Sequence, residues 1–412
     1  MKFSRVILAV LSFGLILQGS QLSAWAFDLG TKMRINGFLS QGYIKSQDNN
    51  FFGESKDGSF QINEFGLTLN GELTDNLRVG LQLLSRDLGS EGNNKVNIDW
   101  GMADYRWRDW LGVRLGKVKL PIGLYNQGRD SDFLRPAVFL PQSIYDENKR
   151  NLVVAATGGS LYGNLSFGNG GDLEYQAYYG EVNFPEDSGQ ALGMRTLAEN
   201  MLRRSRSGTK VVAFEADNRY VYGGSLIYSP PVEGLRLGVS YFTGKSEFDF
   251  KLKRRDGSLF RDEATGNNKD FIVYSAEYVR DKMTLSIEYS EFTADRMVFG
   301  KEVPGGRSQG GYIQACYRLI DPVVIYALYD VFYADKDDRD GSELEARGEL
   351  DYLGWRKDFG LGVRWDVNDN WVLKAEWHKV DGAALQLPIF NPPPEGVKRD
   401  WYYYVLKASY NF

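Results

Sequence analysis

Residues 401–412 read WYYYVLKASYNF, and their meaning lies in alternate positions. Tyr402, Tyr404, Leu406, Ala408, Tyr410 and Phe412 share one face and are apolar or aromatic throughout. Trp401, Tyr403, Val405, Lys407, Ser409 and Asn411 share the other, which turns polar towards its end. Successive side chains of a strand point to opposite faces, so a period of two describes a strand between two unlike surroundings.

The same alternation recurs upstream, in FGLTLN at 65–70, LRVGLQL at 77–83, MTLSIEY at 283–289 and FGLGVRWDV at 359–367. Sixteen such runs can be marked from 32–45 to 400–412, among them 95–108, 111–119, 220–229, 235–245 and 269–280. Their connections alternate between tight turns, such as Asn169-Gly170 and Asn368-Asp369-Asn370, and longer polar loops. A sandwich does not segregate its loop lengths in this way, whereas a transmembrane barrel does. In a bilayer every backbone group must be paired, and a sheet achieves that only by closing on itself. The expected fold is therefore all-β, a sixteen-stranded antiparallel transmembrane barrel over residues 27–412, wide enough for an aqueous channel. Tryptophans near strand ends, including Trp100, Trp107, Trp110, Trp355, Trp365 and Trp401, suit the aromatic girdles of such a barrel.

A chain that ends on an aromatic residue after an alternating strand resembles the Gram-negative outer-membrane porins. The resemblance implies short periplasmic turns, long extracellular loops and a homotrimer in which each chain holds its own pore. It also implies that the barrel-assembly machinery reads the strand ending at Phe412, and that the third long loop folds inward as a constriction.

That third loop falls on residues 121–150, PIGLYNQGRDSDFLRPAVFLPQSIYDENKR. It is long for a connection and too apolar, with Phe133, Leu134, Val138, Phe139, Leu140, Ile144 and Tyr145, to be a solvated linker. The run is also similar to one found in an uncharacterised branch of porin-like barrels. Its candidate constriction residues are Arg129, Asp130, Asp132, Arg135, Asp146 and Glu147; together with Lys149 and Arg150 their charges cancel. Strand parity places Arg34, Arg78, Arg114, Arg318 and Arg364 on the lumenal wall, with Glu64, Glu277, Glu288, Asp330 and Glu376 among the acids that share it. Parity is ambiguous near Gly101 and Lys117, where a bulge would exchange the faces. The wall leans slightly basic, which favours anions weakly. A phosphate-type selective channel is the stronger form of that reading, and a barrel sheathing an electron-transfer protein is the alternative from another class.

The N-terminus sets the compartment. Lys2 and Arg5 precede an apolar run from Val6 to Leu17, and Ala24-Trp25-Ala26 supplies a cleavage site. A signal peptide over 1–26 and export to the outer membrane are expected. Without Lys2 and Arg5, 47 of the 49 basic residues face 54 acidic ones, a formal charge of −7 that gives no reason to expect nucleic acid. One cysteine, Cys316, and one histidine, His378, leave no His/Cys metal-site or haem-attachment motif, so no metal or other cofactor is expected. His378 faces the lumen by parity, far from where a lipase would need its base, so no enzymatic role is expected. Two basic stretches remain: 194–210, whose spacing suits a short helix, and Lys251, Lys253, Arg254 and Arg255 in the next long loop. Both suit lipopolysaccharide phosphates or small anionic solutes.

Overall fold

A computed structural model of the chain describes residues 33–412 apart from 90–91, 183–184, 187, 304–305, 387–389 and 393–395. The expected signal peptide and the start at Phe27 lie outside the described residues.

Met33–Gln47 (β1) and Ser59–Glu72 (β2) open the sheet. Leu77–Asp87 (β3), Val96–Arg108 (β4), Leu111–Lys119 (β5), Ala155–Ser166 (β6) and Asp172–Glu181 (β7) follow. Three long strands come next, Lys210–Ser229 (β8), Leu235–Lys253 (β9) and Leu259–Arg280 (β10). Met283–Val298 (β11) is extended by a three-residue strand, Lys301–Val303 (β12), that folds back on it. Arg307–Ile320 (β13), Val323–Tyr333 (β14), Trp355–Asp366 (β15), Trp371–Asp381 (β16) and Asp400–Asn411 (β17) complete the ring. All pairings are antiparallel, and β17 meets β1 from Phe38↔Asn411 to Gln47↔Tyr402. With the accessory β12 set aside, the sheet is the expected closed barrel of sixteen strands.

Phe412 finishes the closure. Its N–H donates to the Gly37 carbonyl, and the Gly37 N–H donates back, each at 2.9 Å. The Phe412 ring lies on Gly37, where a Cβ would come within 2.3 Å of it.

Outward positions are apolar in the way lipid requires: Leu39, Leu115, Leu161, Leu226, Ile287, Leu361 and Leu406 are all exposed. At the short-turn end Trp107 packs edge-on against Trp110 with ring centroids 5.5 Å apart, and Phe167 and, across the barrel, Trp365 are exposed at the same end. The girdle is only part of the tryptophan set. Trp355 and Trp401 are buried, and Trp100 turns into the lumen.

The strands differ from expectation in one region. β8 begins ten residues earlier than 220, β9 runs on to Lys253, and β10 begins at Leu259 instead of 269. Lys251 and Lys253 therefore stand in a strand, and the long loop expected between β9 and β10 is a tight turn closed by Arg254 N–H to Ser258 O at 2.9 Å. The added ladder carries this part of the wall roughly 25–30 Å beyond the expected strand ends. A helix, Gly189–Arg204, lies under it, capped by the Ser188 side chain on the Ala191 N–H. Its Ala191, Met194 and Ala198 pack into one cluster with Phe214, Phe248, Phe250 and Leu252 of the ladder.

The core lies inside the barrel. Leu120, Ile122, Leu140, Ile144 and Tyr145 of the loop between β5 and β6 join Phe271, Val273, Tyr312 and Leu328 of the wall. A second cluster puts Val138 and Phe139 of that loop against Phe51, Phe52, Trp401 and Tyr403. The loop spans the lumen because its apolar residues have these partners there.

Candidate functional site

Residues 120–154 join β5 to β6 and fold into the barrel. The base of the loop is fastened by Leu120 N–H to Val154 O at 3.0 Å, and the Asn126 amide bridges Leu120 O and Val153 O. From there the chain reaches opposite sides of the wall at four places.

Asp132 makes the first. It lies at the start of a single 3-10 turn, Asp132–Leu134, and is buried. Its carboxylate accepts from Ser40 of β1 at 3.1 Å and Ser409 of β17 at 2.7 Å, and lies 2.7 Å from Lys407, 3.3 Å from Lys374 and 3.1 Å from Arg135. Burial by itself would raise the Asp132 pKa, but Lys374, Lys407 and Arg135 together hold it well below the carboxylate range. Lys407 also reaches Glu64 of β2 at 2.5 Å, and Arg364 donates to the Phe133 and Arg135 carbonyls at 2.9 and 3.1 Å.

Tyrosines make the second contact. Tyr125 donates to Glu277 at 2.5 Å, and Tyr145 donates to Glu288, which also accepts from the Leu124 N–H at 2.9 Å. The third is carboxylate to backbone: Glu376 accepts from the Val138 N–H and Asp330 from the Ser143 N–H at 3.2 Å. Behind it, Arg356 bridges Asp330 and Asp358, and His378 Nδ1 lies 2.9 Å from Asp358. The His378 ring stacks on Tyr403 at 4.4 Å and its Nε2 is 3.4 Å from Glu376. These partners are carboxylates and a tyrosine ring, not a hydroxyl nucleophile.

The fourth contact faces β3–β5. Glu147 lies 2.9 Å from Arg86 of the wall and 2.8 Å from Arg129 of the loop. Beside it runs a chain of four charges: Asp99 of β4, Arg150 and Asp130, all buried, and the half-buried Lys119 at the end of β5. The Asp99–Arg150 distance is 2.7 Å and the Asp130–Lys119 distance 2.5 Å. Arg150 donates to Asp130 between them. Burial would raise both loop carboxylates, but Arg150 and Lys119 hold Asp130 well down, and Arg129 and Arg86 hold Glu147 down.

This chain separates two spaces. On the long-loop side a cavity of about 160 Å³ is lined by Arg86, Lys95, Asp99 and Arg150. On the short-turn side a chamber of about 420 Å³ is lined by Thr68, Gln82, Trp100, Arg114, Lys119, Gln127 and Asp130. Both lie along β3–β5, opposite the strands β10 and β11 where Tyr125 and Tyr145 hold the loop, and the chamber also reaches Asn36 and Phe38 of β1, near the Asp132 anchorage.

The residues singled out in the sequence are distributed unevenly. Arg129, Asp130, Asp132, Arg135 and Glu147 are all buried in the loop's ion pairs. Asp146 caps a turn, accepting from the Asn148 N–H at 3.0 Å. Arg114 lies 3.2 Å from Asp104 and 3.9 Å over the Tyr162 ring, and Arg364 grips the loop as described. Arg34, Arg78 and Arg318 stand exposed at the short-turn rim, Arg78 3.7 Å from Glu72 and Arg318 donating to Asp321 O. Asp99 and Lys119 were missed. In β4 the pairing steps from Gln82↔Trp100 to Leu83↔Ile98, so Asp99 is an unpaired bulge residue and turns inward. The parity break near Gly101 was the available signal for it.

The fold is that of a porin-like outer-membrane barrel. No family model and no curated relative matches the chain. Solved structures do. An anion-selective porin from Comamonas acidovorans aligns with a TM-score of 0.55 at 12% identity, covering 92% of this chain and 99% of that one. OmpF of Salmonella typhi, in complex with daunomycin, aligns with a TM-score of 0.53 at 14% identity over 92% and 97% of the two chains. OmpT of Vibrio cholerae, an outer-membrane protein, aligns with a TM-score of 0.51 at 12% identity over 93% and 99%.

Proposed function

We propose that this protein is a porin: a water-filled outer-membrane channel through which small hydrophilic solutes and ions diffuse passively. The observation that carries the reading is the loop between β5 and β6, folded into a closed barrel and pinned to most of its circumference. What remains along β3–β5 is arranged as two stacked spaces whose linings set Arg86, Lys95, Asp99, Arg114, Lys119 and Asp130 among apolar side chains. A pore needs a wall of alternating outward-apolar strands and a hydrated, charged inner lining, and both are present. In this reading Arg129, Asp130, Asp132, Arg135, Asp146 and Glu147 shape the constriction, and Arg34, Arg78, Arg114, Arg318 and Arg364 give the lumen a slight preference for anions.

The same reading makes the protein a homotrimer without catalytic activity; the matched Vibrio cholerae OmpT has been described in a trimer form. On its long-loop side Lys210 pairs with Lys253 and Lys251 with Arg261 across the ladder, a basic face suited to lipopolysaccharide phosphates. Phe412, sealed against β1, is the residue through which the assembly machinery would recognise the last strand. A barrel that sheaths a partner protein is less well supported, because the lumen is occupied by the chain's own loop.

Planar-bilayer recording tests the proposal. Stepwise ohmic openings with a modest preference for chloride over potassium are expected, and a barrel that inserts but stays silent would sink it.

A further inference from the structure

The chamber on the short-turn side has a lining that the constriction does not account for. We infer that it is a binding subsite for neutral polyhydroxylated solutes of mono- to disaccharide size, an inference that rests on the channel reading and adds a substrate class to it.

Three observations carry it. First, Trp100 is laid over Gly80, where a Cβ would fall 2.7 Å from the indole. The ring lines the chamber while its Nε1 donates to Gln82 Oε1 at 2.9 Å. An indole held flat against a wall offers its face to the apolar C–H side of a sugar ring.

Second, the indole is held in place. Gln82 Oε1 accepts from Trp100 Nε1 at 2.9 Å and from the Thr68 hydroxyl at 3.3 Å. Gln82 is itself buried, so it fixes the ring from behind and leaves the indole face to the chamber.

Third, the charges around the chamber satisfy one another. Lys119 is held by Asp130, and Arg114 by Asp104 while it stacks on Tyr162. An ionic solute would have to break those pairs, whereas a neutral one meets Asn36, Thr68 and Gln127 for its hydroxyls and Phe38, Met102 and Leu134 for its C–H faces. The volume, about 420 Å³, lies within the roughly 300–1,000 Å³ usual for small-molecule sites. The ion-pair chain forms its roof, so a solute entering from the long-loop side pauses here after that barrier.

The test is current block by sucrose, with ethylene glycol at equal viscosity as the control, on single channels of the full-length protein. Sucrose is expected to reduce the current saturably beyond the control. Trp100→Ala and Gln82→Leu are each expected to raise the half-blocking concentration about tenfold, equivalent to about 1.4 kcal/mol. Should Trp100→Ala not fold, Trp100→Phe and Gln127→Ala serve, each with a smaller shift in the same direction. Normal ion currents with no block beyond viscosity, or the same half-block in all variants, overturn the subsite while leaving the channel intact. If no openings occur, the channel reading fails, and equilibrium dialysis of labelled sucrose against the detergent-solubilised protein decides the subsite: saturable retention lost in Trp100→Ala supports it, and no retention overturns it.

Discussion

Arg150 of the inward loop lies 2.7 Å from Asp99 of the wall, and the pair exists because β4 carries one residue more than its partner strand opposite. Without that bulge the lumenal face would skip Asp99. The loop would then meet this side of the barrel without its carboxylate.

Removing the carboxylate should loosen the loop without unseating it, since Arg150 keeps Asp130. Asp99→Asn is expected to raise single-channel conductance about twofold and to strengthen the preference for anions at the barrier, since Arg150 and Lys119 lose a negative partner. Unchanged conductance and permeability ratios would place the ion path away from β3–β5.

Asp132 should matter more for stability than Asp99. Asp132→Ala leaves Lys374 and Lys407 buried beside each other with one carboxylate fewer, a change that costs about 3–5 kcal/mol. Urea unfolding followed by tryptophan fluorescence should show the loss. Limited trypsin digestion should cut at Arg129, which is buried in the native loop.

The loop carboxylates also set its response to acid. Asp130, Asp132 and Glu147 have pKa values held below their ordinary range by adjacent Arg and Lys side chains. A lowered native pKa contributes stability that is fully present above the unfolded carboxylate value of about 4, and is lost as the pH falls through the native value. From pH 7 to about 5, loop protection in hydrogen exchange should therefore be flat. A loop that releases between pH 6 and 5 would contradict this.

Gly116 sits in β5 opposite Met102 with φ +126°, and a Cβ there would meet the Gly101 carbonyl at 2.3 Å. Gly116→Ala is expected to cost about 1–3 kcal/mol and to shift the strand that carries Lys119. The check is a lower midpoint of heat-induced unfolding on gels, together with higher conductance as the barrier is disturbed.

Strand number, closure and the inward loop were legible because each rests on a period of two or on a break in it. Glu247 to Lys253, EFDFKLK, alternates as well as any barrel strand. It reads as a loop because its polar face is densely charged and its apolar face contacts a helix, not lipid. Once Phe248, Phe250 and Leu252 are seen against Ala191, Met194 and Ala198, the strand is plain. The position of Asp132 in the sequence said that it belonged to the loop, but not that three strands distant in sequence would meet at its carboxylate. Such convergence follows from the curvature of the closed wall, which no local pattern contains. Asp99 was hidden for a different reason: a single inserted residue reverses every parity assignment beyond it.

Asp132 takes Ser40 from the first strand and Lys407 and Ser409 from the last. Those two strands lie at opposite ends of the sequence and become neighbours only when the cylinder shuts. The loop is made early in translation, yet its anchorage is assembled from parts that do not coexist until the final strand is in place. Full seating of the loop is thus a late event in biogenesis, and a barrel that has not closed carries a loop without its Asp132 anchorage.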